Sequence, residues 1–268
     1  MRRNFGWALA SFALLSGVGS AMAADMAVKA RPMPVPVVAV YNWTGWYVGG
    51  NVGYGWGDGN VDLAPTNNPT SIGYFGGTFP AFIPSHERLN PSGVIGGGQV
   101  GYNWQWDRLV AGIEADIQGA DVRGTVNTLV APITSLTTQR LDWFGTVRGR
   151  IGLAANSVLF YATGGLAYGQ VNHVFSTNND GGGAFENIAS RDTRAGYAVG
   201  AGVEWGFAPQ WTVKAEYLFL DFGSPTFATI GTGTTPPGAS IDAHFQDRFH
   251  IARVGVNYRF GAPVVAKY

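Results

Sequence analysis

Side chains on an extended strand alternate between two faces. Eight segments of this chain keep that alternation for roughly 12–16 residues apiece, near residues 46–57, 93–106, 109–120, 139–154, 158–171, 194–207, 211–222 and 248–260. A globular strand averages about five or six residues, whereas a tilted strand crossing a bilayer needs about 9–11 plus its rims. In GWYVGGNVGYGWG (Gly45–Gly57), Trp46, Val48, Val52, Tyr54 and Trp56 share one face, and Tyr47, Gly49, Asn51, Gly53 and Gly55 share the other. A soluble sandwich turns its large residues into a core, and a membrane barrel turns them out into lipid. One strand does not choose between the two.

The connections do. Asp107–Arg108, Ala155–Ser157 and Ala208–Gln210 are short turns, and between them lie long segments near 58–92, 121–138, 172–193 and 223–247, rich in Gly, Pro, Thr and Asn. Short turns on one rim and long loops on the other are the plan of bacterial outer-membrane barrels. Trp46, Trp56, Trp104, Trp106, Trp143, Trp205 and Trp211 all fall on the apolar face of their own strand, most of them near a strand end. Tyr258 and Phe260 continue that face in FHIARVGVNYRF (Phe249–Phe260). This is the placement of an aromatic girdle at the headgroups.

The opposite face collects Glu114, Asp116, Asp142, Arg148, Arg150, Glu204, Lys214, Glu216, Arg253 and Arg259. An isolated enclosed charge is costly, so these acids and bases are expected to pair inside the barrel, with glycines making room for their long side chains. With eight strands the interior is just wide enough for side chains to fill it, which disfavours a wide channel. An array such as Glu114, Asp116, Arg148 and Arg150 also fits a proton path or a selectivity ring. VLFYATGGLAYGQV, near 158–171, is apolar on both faces and leaves its own register open.

The fold class expected is therefore all-β, an eight-stranded antiparallel up-and-down transmembrane barrel over 46–260. Arg2 and Arg3, an apolar run and small residues at Ala21 and Ala23 make residues 1–23 a cleavable export signal. Proline-rich residues 24–45 form a periplasmic linker, free or folded back as a plug, and 261–268 a short extension. Lys plus Arg and Asp plus Glu number 17 each, so no basic field argues for nucleic acid. The absence of cysteine removes disulfides, thiolate metal sites and cysteine nucleophiles.

Gly96, Gly98 and Gly101 satisfy G-x-G-x-x-G, but an alternating strand follows where a dinucleotide site needs a helix, so no cofactor is expected. His86, His173, His244 and His250 lack metal-ligand spacing and read as solvated loop or rim residues. A rim hydrolase would have to draw on Ser85, His86 and Glu87 with His173 or His244, and no spacing fixes such a geometry. The chain is read as a non-enzyme.

WTGWYVGGNVGYGWG (Trp43–Gly57), YATGGLAYG (Tyr161–Gly169), AEYLFLDFG (Ala215–Gly223) and VGVNYRFG (Val254–Gly261), with the export signal, resemble the small porin-like outer-membrane immunogenic proteins of alphaproteobacteria. The likeness runs from about Trp43 onward. It implies a surface-exposed outer-membrane barrel with a role in envelope integrity, or alternatively a narrow porin-like channel. The implied partners are outer-membrane lipid and lipopolysaccharide, the assembly machinery through the C-terminal strand, and host or phage molecules at the long loops. Such barrels end on an aromatic residue, and here Phe260 and Tyr268 both qualify.

Overall fold

The computed structural model describes residues 41–76, 83–179, 183–231 and 235–260. The expected export signal, most of the linker and the C-terminal extension with Tyr268 lie outside the described residues. Eight long strands form a closed antiparallel ring: β1 (Gly45–Gly57), β4 (Ser92–Trp106), β5 (Leu109–Val130), β6 (Ile133–Ala155), β7 (Val158–Asn179), β8 (Gly183–Ala208), β9 (Trp211–Asp221) and β13 (Arg248–Arg259). Each pairs with the next in this order, and β1–β13 pairing closes the circle. Closure leaves no unpaired edge, the condition for strands to span lipid. Asp107 and Asn156 take the left-handed conformation that two of the tight turns demand.

Four strands outrun their expected bounds. Residues 121–138 and 172–193, expected as loops, continue β5, β6, β7 and β8 as tall hairpins. Beyond the membrane each face mixes polar and apolar residues, as in Thr125–Thr138 with Val126, Leu129, Ile133 and Leu136, so hydropathy loses its contrast while Thr and Val still favour extended pairing. The other two long segments supply β2 (Gly59–Pro65), α1 (Pro69–Phe75), β3 (His86–Leu89), β10 (Thr226–Ala228), β11 (Ile230–Gly231) and β12 (Ile241–Phe245). Strands β10, β12, β2 and β3 make a separate sheet, so the loop rim carries a folded cap. Val61, Leu63, Phe75, Leu89, Ile241 and Phe245 are its core, closed from below by Phe175 and Ile188.

Outside, the tryptophans are where the alternation sends them. Trp46, Trp104, Trp106, Trp205 and Trp211 are exposed near the short turns, with Phe260 exposed and Tyr258 half-buried beside them. Trp56 is exposed toward the cap, and Trp143, half-buried, lies there against Tyr168. Ten residues separate Trp46 from Trp56, ~33 Å along the strand, or ~25 Å in height at a typical barrel tilt of ~40°. That is the height of an outer-membrane apolar band. The register left open in β7 resolves with Leu159, Tyr161, Ala167 and Val171 buried and Phe160 and Leu166 exposed.

Candidate functional site

Strand register alone delivers the central ion pairs of the lumen. Glu114 lies opposite Arg148, Glu204 opposite Lys214, and Glu216 opposite Arg253, each with an inward, buried side chain. Opposite charges facing across a ladder attract, and enclosure strengthens that attraction. Arg148 reaches Glu114 at 2.6 Å, Asp116 at 2.9 Å and Glu216 at 3.2 Å. Lys214 approaches both oxygens of Glu114, at 2.9 and 2.8 Å. Arg253 bridges Glu216 at 2.5 Å and Asp116 at 3.0 Å, and Arg150 holds Glu204 at 2.8 Å. Four carboxylates (Glu114, Asp116, Glu204, Glu216) thus face four cations (Arg148, Arg150, Lys214, Arg253), and the cluster is neutral.

Several partners carry no charge, and charge patterning does not pick them out. Tyr47 donates to Glu114 and accepts from Arg150, while Tyr161 donates to Glu216. The Arg150 guanidinium lies 4.6 Å from the Tyr161 ring centre. Tyr47 rests over Gly101, where a Cβ would meet its phenol, so the small residue opposite is what admits the ring. An amide relay of Asn51, Gln99 and Asn257 ends on Glu204. The alternation of β1 puts Tyr47 and Asn51 on the inner face, and that is the one signal for them.

Two expected members stand apart. Asp142 is displaced by a β-bulge between Leu141 and Trp143, which turns it to the outer face, where it meets Arg140 at 2.6 Å and Asn172 at 2.6 Å. A simple alternation counted through Trp143 misses the extra residue. Arg259 is in the lumen, but below the network, stacked over Tyr41 and Trp43 and donating to the Asn42 carbonyl.

Residues 41–45 fold back into the mouth at the short-turn end. Trp43 is fully buried, its amide donates to Gln105 Oε1 at 2.6 Å, and its indole donates to the Asn156 carbonyl at 3.3 Å. Val110, Ala154, Leu159 and Tyr161 pack around it. Above the ionic layer, on the loop side, Ile95, Phe144, Leu218, Leu220, Phe249 and Ile251 belong to an apolar layer. The lumen is therefore filled in strata: an indole plug, a neutral ionic cluster and an apolar layer beneath the cap.

The histidines depart in one case from solvated rim positions. His173 is buried beneath the cap, 2.7 Å from Asp247, with Gln139 donating to the same oxygen at 2.6 Å. Phe175 and the cap's Phe245 supply the apolar setting that sequence order does not reveal. His86 pairs with Asp62 at 2.7 Å, His244 with Thr226 at 2.8 Å, and His250 with Tyr217 at 2.6 Å. Glu87 faces away from His86 and accepts from Ser135 and Thr137, so Ser85, His86 and Glu87 do not converge. Among the described residues no group of three or more acidic or imidazole side chains could hold a metal. Gly96, Gly98 and Gly101 lie within β4.

A closed ring of eight tilted strands, girdled by aromatic residues and enclosing its charges, is an integral β-barrel of the bacterial outer membrane. Residues 10–260 match the family model of the outer membrane protein beta-barrel domain, and the chain belongs to that family. It is 34% identical over 258 residues to the 31 kDa outer-membrane immunogenic protein of Brucella melitensis, covering 94% of this chain and 98% of that one. The 22 kDa outer membrane protein of Rhizobium leguminosarum is 31% identical over 197 residues, 72% of this chain and 70% of that one. OprG of Pseudomonas aeruginosa shares the fold at a TM-score of 0.51 and 11% identity, over 83% of this chain and 100% of that one.

Proposed function

We propose that this protein is a structural, surface-exposed barrel that contributes to envelope integrity and keeps its lumen closed to solutes. The observation that carries this is the stratified interior: Trp43, the cluster around Arg148 and the layer around Phe144 are each buried, one above another. Ions would have to displace paired charges and then cross apolar packing, both costly. The cap is the surface offered to lipopolysaccharide, host molecules or phage, and β13, ending at Arg259 with Phe260 beyond it, is the strand offered to the assembly machinery. Planar-bilayer recording on refolded protein tests the closure. The trace is expected to stay at baseline; reproducible unitary steps would instead establish a narrow porin-like channel.

A further inference from the structure

A row of arginines crosses the outer wall just above the upper girdle. Arg123 lies directly opposite Arg140, Arg140 opposite Asn172, and Asn172 opposite Arg191, on four successive strands β5 to β8. Their inward neighbours Val122, Leu141 and Val171 are buried, so the row faces outward. The arginine side chains are 62%, 47% and 70% exposed, in chain order. Like charges placed directly opposite each other across a ladder are destabilising. Such an arrangement calls for an anion.

The chain supplies part of one. Register shifts between Gly119 and Val122 and between Leu141 and Trp143 set Asp121 and Asp142 at this level. Bulges at barrel rims commonly re-aim a side chain. Asp121 meets Arg123 at 2.7 Å and Arg140 at 4.0 Å, and Asp142 meets Arg140 at 2.6 Å and Arg191 at 3.9 Å. Two carboxylates thread three guanidinium groups, leaving one positive charge over (3 − 2 = 1). Among the described residues Arg191 is held only by that long contact and by the neutral Gln170 amide at 3.0 Å, and its side chain is 70% exposed.

Depth selects the ligand. Arg140 pairs with Asn172 and Trp143 with Gln170, and these partners are two residues apart on β7, so Arg140 stands ~7 Å of strand and ~5 Å of height above Trp143 at the usual tilt. The polar layer on one side of a bilayer is ~5–8 Å thick, so the guanidinium groups fall among the headgroups of the outer leaflet. Planar guanidinium groups bind phosphate through paired hydrogen bonds.

We propose that Arg123, Arg140 and Arg191 form a binding row for the phosphate groups of an outer-leaflet phosphoglycolipid, with Asp121 and Asp142 ordering the row when no lipid occupies it. This rests on the membrane-embedded barrel but not on its closure. Lipid would thereby be fastened to the wall on the side where the tall hairpins leave the bilayer.

Native mass spectrometry of the full chain in micelles, titrated with diphosphoryl lipid A and with the same lipid stripped of phosphate, tests the assignment. The phosphorylated lipid is expected to bind about tenfold more tightly, and R123Q/R140Q/R191Q to lose about that factor. Arg123→Gln and Arg191→Gln singly, at the exposed ends of the row, should each lose about threefold, and Asp142→Asn should gain affinity by freeing Arg140. A heat-dependent gel shift verifies that each variant folds. Equal binding of the two lipids, or undiminished binding by the single and triple variants, overturns the proposal. Displacement of lipid A by equimolar inorganic phosphate also overturns it, because the site would then be one for free anions. Bilayer conductance is read separately, so failure of the row and failure of the closed lumen are told apart.

Discussion

Arg148→Met is the sharpest test of a dry, self-neutralised lumen. The Arg148 side chain is fully buried and pairs with three carboxylates, on Glu114, Asp116 and Glu216. Met fills most of the volume of the arginine stem but leaves four carboxylates facing three cations. Removing one partner of a buried pair costs about 3–5 kcal/mol, because the remaining charge stays enclosed. A water-filled lumen would screen the loss to about 0–1 kcal/mol, the worth of a surface pair. Urea unfolding from phosphatidylcholine vesicles, followed by tryptophan emission, separates these ranges. The companion is Arg148→Met with Asp116→Asn. It restores neutrality, and the new side-chain amide keeps an oxygen for the Thr146 hydroxyl that now donates to Asp116. The double variant is expected to recover about 1–3 kcal/mol relative to the sum of the singles. A single variant within about 1 kcal/mol of wild type, or strictly additive losses, would refute the enclosed network and with it the physical ground for closure.

Trp43→Ala removes the buried indole at the mouth and should destabilise the barrel by about 3 kcal/mol in the same urea assay, while bilayer recordings stay silent because the ionic and apolar strata remain. Brominated lipids should quench single-tryptophan variants retaining Trp104 or Trp205, both exposed outside, and spare one retaining Trp43; equal quenching would contradict the topology. Glu186, in the part of β8 beneath the cap, has its carboxyl raised by burial, partly offset by the Thr229 and Thr235 hydroxyls. A carboxyl raised in the folded state binds more protons there than in the opened state, so cap stability falls as pH climbs from the ordinary carboxylate value through the raised one. Glu186→Gln should therefore slow amide exchange in β11 at neutral pH and leave it unchanged in acid; the reverse dependence would show that the carboxylate is stabilised where it lies.

The barrel wall was legible because lipid and lumen impose opposite demands on successive residues. Wherever that contrast holds, as in Leu109–Gly119, alternation assigns faces one residue at a time, and Glu114, Asp116 and Lys214 fall inside. It fails where the contrast ends. Thr125 and Thr138 lie where polar and apolar residues share both faces, and they still pair across β5 and β6. Asp142 shows a second limit, since one bulge residue reverses every assignment counted through it, and bulges leave no hydropathy mark. His173 shows a third. Its burial depends on Phe245 and Asp247, more than 70 residues away, brought over it by a cap whose sheet joins two separate loops.

The cap and the strata below it address one physical problem from two directions. A barrel of eight strands encloses too little space for both water and the long side chains that its inner faces carry. Neutral pairing lets Arg148 and its neighbours fill that space without net charge, but leaves polar groups that water could reach from either end. At the short-turn end Trp43 and Tyr41 close the approach, with Arg259 stacked on both rings. At the other end the layer around Phe144 and Phe249 does so, and the cap buries a second apolar cluster above it. Cap strands β2 and β12 pair directly, tying the connection after β1 to the one before β13, strands that are themselves neighbours in the wall. The seam at which the ring closes is thus fastened twice, once within the membrane and once outside it.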